Sequence, residues 1–380
     1  MRVQISIVLL LSIGCLSNAA DKIIRVLLQR QETRLAGEFG QPVVNYYTQV
    51  DIGTPGKTFN IQFDTDLAYS FVPHYKLYTT FIKKILFKYN LHYSKGYRGK
   101  ESGTSYKQKS ETQTTFEYQK CTLTGKSYTD AINITEAFDT QSGNQRGKFI
   151  HTFLAISDAS NSAFKTLPVD GFFGLAPVTS ANSHTDNLLV SMSSQKLIDK
   201  NQFAIMLGDD LGLIHFGGFR QSRQTIRWEP LAPELRNKWT LVLKSVKMGD
   251  QIISSGCDQT PCRVVLGAAL TDTYGPRDEV QKLYHDLGAV VEDSLPLVDC
   301  RRKQQLPSVE FFFRDIIVGI SADEYVRQSS SAKLFGNETC YVSILPVDKY
   351  HPRQWTLGAN FFMKKYIVFD MDNRKVGFSA

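Results

Sequence analysis

Short apolar runs and apolar–polar alternation, separated by turns rich in glycine and proline, dominate most of the chain. Tyr46–Ile52 and Thr58–Phe63 alternate in this way around the turn Gly53–Gly56, and the pattern predicts a β-hairpin. Helical spacing of apolar residues occurs at Asp186–Lys200 and Asp278–Leu287. The pattern therefore predicts a β-rich chain with a few short helices.

The remaining predicted strands are spread along both halves of the chain. They are Asp21–Arg30, Thr114–Tyr118, Cys121–Ile134, Val169–Ala176, Leu213–Gly218, Trp239–Val246, Arg263–Leu270 and Trp355–Gly358. A polar stretch around Arg220–Pro230 indicates a domain boundary, after which the plan of the first half repeats. Two apolar residues followed by glycine occur at Phe172–Gly174 and, in a looser form, at Thr356–Gly358, which favours an internal duplication.

Composition fits this interpretation and limits the function classes. The 380 residues suffice for one large or two medium domains, and 24 Phe with 17 Tyr favour β-structure with large cores. The chain is 42% hydrophobic and 21% charged, as is ordinary for a soluble globular protein. The net charge of +7 is modest, and we expect no nucleic-acid partner.

The N-terminus has the pattern of a secretory signal peptide over residues 1–20, with an apolar core and small residues before Ala20. No later apolar run reaches the length of a membrane span. Residues 21–41 are predicted to be a short residual pro-segment or an N-terminal strand. We expect a secreted protein, with an endolysosomal location as the alternative, and the sequons at Asn133 and Asn337 predict glycosylation.

Positive charge is concentrated in residues 76–109. Nine basic residues face one acidic residue, Glu101, an excess of +8, and they are Lys76, Lys83, Lys84, Lys88, Lys95, Arg98, Lys100, Lys107 and Lys109. Phe81–Tyr89 has helix-like spacing of apolar and basic residues. One interpretation is a binding surface for an acidic glycan or an anionic lipid surface, and the other is a solvated basic loop.

Asp64 and Thr65 stand at the end of the predicted strand that finishes the first hairpin. A carboxylate among apolar strand residues costs several kcal/mol unless it is hydrogen-bonded or used in chemistry. Asp64-Thr65-Asp66 also has the composition of an ordinary turn between two strands. The surrounding sequence decides between the two interpretations.

Several motifs together resemble the pepsin-like aspartic peptidases of the pepsin and cathepsin D type, over nearly all of residues 43–380. Tyr47–Pro73 resembles their first hairpin and Asp-Thr-Gly loop, and Val169–Ala176 resembles their Phe-Asp-Gly-Ile-Leu-Gly-Leu strand. The C-terminal block Trp355–Phe378 matches as well. The resemblance implies an all-β bilobal fold with a central cleft, lobes at 42–222 and 223–380, and neither a metal nor another cofactor.

Cleavage after residue 20 would leave five cysteines, an odd number. The resemblance implies disulfides Cys257–Cys262 and Cys300–Cys340, which leaves Cys121 unpaired. The disulfide that follows the first active-site loop in the family is missing here, and the basic segment occupies its place.

The chemistry of this family needs two carboxylates, one from each lobe, that share a proton. The family pattern around the second carboxylate agrees here without a gap at Cys262 and at Gly275-Pro276. This alignment puts Gly267 at the second aspartate and Ala268 at the following threonine. A rival alignment uses Asp272, but it needs five residues inserted before it and five removed after it.

The first loop and the flap over the cleft also depart from the family pattern. Asp66 and Leu67 replace the glycine and serine that follow Asp-Thr. Tyr118 falls at the flap tyrosine, and Phe71 replaces the tryptophan that hydrogen-bonds this tyrosine in the family. Cys121 falls at the flap tip, where it is either an incidental thiol or a reactive or intermolecular one.

Two functions remain in view. The first is a secreted homologue without proteolytic activity that binds a peptide or protein in its cleft. The second is an active acid endopeptidase with an altered centre.

An Asp64–Asp66 pair is a poor substitute for the dyad, because both carboxylates come from one lobe and would not bracket a substrate. A third idea is a binder that uses its basic surface and retains the cleft only as a vestige.

Overall fold

The structure is a computed structural model, and it describes residues 21–33, 41–77, 96–103, 107–119, 121–160, 169–177, 186–219, 225–254, 256–257, 259–329, 334–335, 338–347 and 353–379. The signal peptide predicted at 1–20, the helix predicted around 81–89 and Asn337 lie outside these residues. Within them, no helix has both the length and the apolar composition that crossing a membrane requires.

Strands make up most of the described chain. They are β1 Ile24–Thr33, β2 Val43–Ile52, β3 Lys57–Asp64, β4 Phe71–Pro73, β5 Lys107–Tyr118, β6 Cys121–Ile134, β7 Ala137–Asp139, β8 Lys148–Ala159, β9 Gly171–Gly174, β10 Gln202–Leu207, β11 Leu211–Phe216, β12 Ile226–Pro230, β13 Thr240–Leu243, β14 Ser245–Met248, β15 Gln251–Ser254, β16 Cys262–Leu266, β17 Thr273–Pro276, β18 Val290–Glu292, β19 Leu295–Asp299, β20 Val309–Phe312, β21 Ile317–Ile320, β22 Val326–Gln328, β23 Thr339–Val342, β24 Ile344–Val347, β25 Gln354–Leu357, β26 Ile367–Asp370 and β27 Lys375–Ser379.

The described helices are short. The α-helices are α1 Leu188–Ser194, α2 Arg277–Leu287, α3 Ala322–Tyr325 and α4 Ala359–Phe362, and the 3₁₀-helices are Gly99–Glu101 and Cys300–Gln305. The predicted helix at 278–287 is confirmed, and it ends at Gly288 in the left-handed conformation. The helix predicted over 186–200 ends at Ser194, so only its first half is helical.

A 14-stranded sheet joins the two halves of the chain. Its path runs β12-β27-β26-β10-β11-β1-β2-β3-β9-β4-β8-β6-β5, with β7 paired to β1. Three smaller sheets of five, four and four strands come from the second half. The all-β bilobal fold is thus confirmed, and the large sheet crosses the lobe boundary predicted near residue 222.

The N-terminal strand β1 lies inside this sheet. Ile24–Gln29 pair with β11, and Gln29–Thr33 pair with β2. The side chains of Ile24, Val26 and Leu28 alternate into the core. Of the two predictions for residues 21–41, the structure shows a strand for Ile24–Thr33.

The two halves share a local arrangement that positions the candidate site. In the first half β3 runs parallel to β9, and Asp64 pairs with Gly174 at the end of the register. In the second half β16 runs parallel to β25, and the last pair is Leu266 with Leu357. Gly267 and Gly358 follow this pair by one residue. Gly267 therefore corresponds to Asp64 and Gly358 to Gly174, and the loops that follow Asp64 and Gly267 are equivalent. This geometry supports the internal duplication indicated by the sequence.

Candidate active site

Asp64 is the last residue of β3, and only 4% of it is exposed. In a strand with one buried face, every second side chain is exposed. The last four residues of β3, Ile61 to Asp64, are instead all buried, because both faces of the strand are covered. One carboxylate oxygen accepts the backbone N–H of Asp66 at 2.8 Å. The other accepts the hydroxyl of Tyr118 at 2.8 Å.

Burial raises the pKa of Asp64 to about 6, with a further contribution from the negative charge of Asp66. The hydrogen bonds from the Asp66 amide and the Tyr118 hydroxyl act in the opposite direction, as does the charge of Lys238. The carboxyl group therefore changes charge in mildly acidic solution.

The flap hairpin β5–β6 brings Tyr118 over Asp64. Tyr118 is 8% exposed, and its ring meets Phe71 edge-to-face at 5.4 Å between centroids. The Phe71 side chain has no hydrogen-bond donor. The side-chain amide of Gln119 instead donates a hydrogen bond to the Tyr118 hydroxyl at 3.1 Å. Gln119 sits at the tip of the hairpin with φ +46°. Gln119 thus supplies the hydrogen bond to Tyr118 that a tryptophan at the position of Phe71 donates in the family.

Asp66 forms an ion pair with Lys238, whose ammonium lies 2.9 Å from Oδ1. The side chains are 31% and 39% exposed, so solvent screens this pair. Asp66 belongs to the loop of the first lobe and Lys238 to the second half of the chain. A cation from the second half therefore stands close to Asp64.

Thr65 connects the two loops directly. Its hydroxyl donates to the carbonyl of Leu266 at 2.6 Å and accepts the N–H of Ala268 at 2.9 Å. Thr65 is fully buried, and these bonds hold the peptide units on either side of Gly267. Ala268 has no hydroxyl to return the contact, so only one half of a reciprocal arrangement is present.

The loops after Asp64 and Gly267 are supported in the same way. The carbonyl of Leu67, three residues after Asp64, accepts the N–H of Ala176 at 3.0 Å. The carbonyl of Leu270, three residues after Gly267, accepts the N–H of Ala359 at 2.6 Å. Each loop also packs against a glycine, Gly174 in the first half and Gly358 in the second, at a position with no room for a side chain. A Cβ on Gly174 would lie 2.4 Å from the Leu67 carbonyl oxygen, and one on Gly358 would lie 2.1 Å from that of Asp272.

Gly267 itself is buried and bonds the carbonyl of Leu357 through its N–H at 2.9 Å. A Cβ at this position would meet the ends of two side chains, Thr356 at 3.2 Å and Leu270 at 3.3 Å. The site is tight but is not closed by backbone, so a larger residue can be accommodated by small side-chain shifts.

Asp272 is turned into the second lobe. It is 1% exposed, and its carboxylate accepts hydrogen bonds from the Ser343 hydroxyl and from the Gln41 amide. Burial raises the pKa of Asp272 above its usual range. Ser343 and Gln41 are both buried, and neither belongs to the Asp64 loop.

The cysteines follow the expected pattern. The structure contains the disulfides Cys257–Cys262 and Cys300–Cys340. Cys121 is free and 4% exposed, packed in an apolar cluster with Phe71, Tyr118 and Leu123. Burial limits the access of reagents to this sulfur, so the environment favours the incidental thiol over the reactive one.

The candidate glycosylation site Asn133 is half-buried at the end of β6, and its amide donates to Asp51 at 3.3 Å. Among the described residues there is no group of three or more His, Cys, Asp or Glu side chains arranged to hold a metal ion.

The loops that begin at Asp64 and Gly267 are thus equivalent and are joined through Thr65. A family model described as "Eukaryotic aspartyl protease" matches residues 45–380. The chain belongs to the eukaryotic aspartyl protease family. This membership accounts for the bilobal all-β fold and for the peptide-binding cleft that the family uses.

Individual relatives are distant but cover most of the chain. Renin from Echis ocellatus is 25% identical over 348 residues, which is 88% of this chain and 80% of that protein. Cathepsin D from Dictyostelium discoideum is 26% identical over 343 residues, with 88% and 83% covered. Pepsin A from Suncus murinus is 25% identical over 351 residues, with 89% and 82% covered.

Two residues of the site escaped the sequence analysis. Lys238 lies far from Asp66 in sequence, and a lone lysine before a strand carries no signal of its own. Gln119 stands in the turn of the flap hairpin, where its residue type gives no sign of a bond to the neighbouring tyrosine. Its amide finds Tyr118 because the hairpin turn is so tight that Tyr118 pairs directly with Cys121.

Proposed function

We propose that this chain is a non-proteolytic aspartyl protease homologue that binds a peptide or protein segment in the cleft between lobes 42–222 and 223–380. The observation that carries the proposal is the position of Gly267. It stands between Leu266 and Ala268, the two residues whose backbones bond Thr65, and it matches Asp64 in the supporting contacts of its loop. Gly267 thus occupies the place of the second carboxylate.

Catalysis in this family rests on a pair of carboxylates, of which one takes a proton from water and the other polarises the scissile carbonyl. Among the residues that the structure describes, no second carboxylate shares a hydrogen bond with Asp64, whose oxygens accept from the Asp66 amide and the Tyr118 hydroxyl. Loss of a core catalytic group commonly costs on the order of 10⁴ in rate, or roughly 5 kcal/mol in barrier. The Tyr118 hydroxyl bonds Asp64, and the charge of Lys238 also acts on this carboxyl group.

The alternative function is an active acid endopeptidase that takes its second carboxylate from elsewhere, with Asp272 the first candidate. Its bonds to Ser343 and Gln41 and its burial in the second lobe support a structural role instead. Asp66 is the other acid nearby, but it is paired with Lys238 and belongs to the same loop as Asp64.

Secretion and glycosylation at Asn133 and Asn337 are part of the same proposal. The apolar leader over residues 1–20 supports them, as do two disulfides, which persist in oxidising compartments. An endolysosomal destination is the alternative. Immunolocalisation of the tagged chain, together with its mass before and after removal of N-glycans, tests both statements.

The central experiment combines a cleavage assay with a binding assay on the purified secreted chain. A broad peptide library is incubated from pH 3 to 7 with the natural chain and with Asp64→Asn, each with and without pepstatin. We expect no cleavage above the Asp64→Asn background, together with retention of selected peptides. Cleavage that Asp64→Asn abolishes and pepstatin blocks would establish the endopeptidase instead, and Asp272→Asn would then test the source of the second carboxylate.

A further inference from the structure

A separate cavity of about 490 Å³ lies on the first lobe, beside the beginning of the basic segment. Its walls come from the residues after β4, from the 3₁₀-helix Gly99–Glu101 and from strands β5, β6 and β8. The cavity shares no lining residue with the Asp64 site. Its size is in the range that holds one or two sugar rings or another small molecule.

Positive charge surrounds this cavity. Four of its lining side chains are cationic, namely Lys76, Arg98, Lys100 and Lys126, and Glu101 is the acidic one, which leaves an excess of three positive charges. His74 also lines the cavity, and burial followed by the charges of Lys76 and Arg98 lowers its pKa to about 4. His74 is therefore neutral near pH 7 and contributes a ring without a charge.

Aromatic rings form part of the wall between these cations. His74 stacks with Tyr128 at 6.2 Å and lies 4.4 Å from the ring of Tyr75. Arg98 places its guanidinium 4.8 Å above the Tyr75 ring and bonds Glu101 at 2.9 Å. The cavity thus combines apolar ring surface with charges that are spread around it and not gathered at one point.

The loop that carries Arg98 and Lys100 is anchored to the core. Tyr97 donates its N–H to Pro73 at 2.7 Å and its hydroxyl to Asp130 at 2.8 Å. The ammonium of Lys57 donates to the carbonyl of Gly96 at 2.8 Å. A wall that is already fixed in place loses little conformational entropy when a ligand binds.

We propose that this cavity binds a sulfated sugar unit of an acidic polysaccharide. Sulfate groups spread over a disaccharide match cations that are distributed around the cavity, and the Arg98 guanidinium presents paired donors to such an oxyanion. The rings of Tyr75 and Tyr128 offer the apolar surface on which the faces of sugar rings pack. A single inorganic anion would use only a small part of this volume.

The test uses the full chain and measures its affinity for heparin and for de-sulfated heparin at fixed ionic strength. The cavity variant is Lys100→Gln/Lys126→Gln. The matched control, Lys148→Gln/Arg227→Gln, removes the same number of charges from exposed positions elsewhere. Thermal melting of each variant verifies the fold, and peptide retention in the cleft is measured in parallel.

We expect the cavity variant to bind heparin about tenfold more weakly, since two partly exposed charge contacts are each worth up to about 1 kcal/mol. The control variant should change the affinity less than about twofold, because distant exposed charges are screened. De-sulfated heparin should not bind. Cleft binding of peptide should be the same in all variants, so this result is independent of the proposed function.

Four results would overturn the proposal. Equal weakening by the cavity and control variants would mean that net charge alone attracts the polyanion. Failure of the natural chain to bind heparin would rule out a sulfated sugar as the ligand. Equal binding of the de-sulfated form would rule it out as well. Binding to phosphatidylserine vesicles that the cavity variant loses, while heparin binding is unchanged, would assign the cavity to an anionic membrane surface.

Discussion

The hydroxyl of Tyr118 donates a hydrogen bond of 2.8 Å to Oδ2 of Asp64. This bond joins the flap hairpin to the loop that begins at Asp64 and places a phenol on its carboxylate. The side-chain amide of Gln119 donates a second hydrogen bond to the same hydroxyl at 3.1 Å. The flap is therefore tied to Asp64 by a polar contact inside an otherwise apolar cluster.

Removing this bond should shift the titration of Asp64. The Tyr118 hydroxyl stabilises the ionised carboxylate, so Tyr118→Phe should raise the pKa of Asp64 above its value of about 6. Carbon-detected NMR titration of the labelled aspartate side chains measures the change. Tyr69→Phe is the control, because Tyr69 packs on Phe116 in the same cluster, whereas the Asp64 oxygens accept from Asp66 and Tyr118. An unchanged or lower pKa in Tyr118→Phe would contradict the contact.

The raised pKa also predicts how stability depends on pH. Asp64 titrates near pH 6 in the folded chain, and an unfolded aspartate titrates near pH ~3.9. Its protonation stabilises the fold fully below the lower value, and this contribution is lost as the pH rises through 6. Asp64→Asn should therefore increase the free energy of unfolding at pH 7.5 by about 3 kcal/mol, and have little effect at pH 4.

Denaturant unfolding at the two pH values measures this difference. Asp158→Asn, at an exposed position of β8, provides the control and should leave stability nearly unchanged at both. A destabilised Asp64→Asn variant at pH 7.5 would mean that the ionised carboxylate contributes more through its hydrogen bonds than it costs by burial.

Restoring the second carboxylate tests the role of Gly267. Gly267→Asp should produce acid-dependent cleavage on the order of 10² above the natural chain, because a positioned acid or base contributes at least that factor. The new Cβ needs only small shifts of Thr356 and Leu270. Gly267→Asn has the same shape without the acid and should remain inactive, as should Asp64→Asn/Gly267→Asp. Equal inactivity of all three would shift the explanation to Asp66 and Lys238.

The thiol of Cys121 should be protected in the folded protein. With 4% of the residue exposed and apolar neighbours around it, modification by a disulfide reagent should be slow under native conditions and complete after unfolding. The chain without residues 1–20 should yield one titratable thiol under non-reducing denaturing conditions. Rapid modification in the native state, or a disulfide-linked dimer, would favour the reactive or intermolecular thiol instead.

Much of the fold was predictable because strand alternation and turn residues are local signals. The hairpin that ends at Asp64, the flap strands and the helix at Arg277–Leu287 all follow from such patterns. The position of Gly267 followed from the gapless spacing between Cys262 and Gly275-Pro276. Its equivalence to Asp64 in three dimensions, through the Leu67 and Leu270 carbonyls, is invisible in a single sequence because it depends on backbone contacts.

The contacts that set the chemistry of the centre come from distant positions. Lys238 approaches Asp66 only because the two halves of the chain fold against each other. Partners of this kind have no spacing rule, so a sequence indicates which residues are missing from a site better than which ones replace them. The same holds for the cavity on the first lobe, where charge density was evident and the aromatic wall was not.

The place of β1 in the large sheet bears on how the molecule holds together. Ile24–Gln29 pair with β11, and Gln29–Thr33 pair with β2. Release of this strand would leave β11 and β2 without the backbone partner that lies between them, and it would uncover the core around the buried side chains of Ile24, Val26 and Leu28. The integrity of the sheet that joins the two halves of the chain therefore depends on β1.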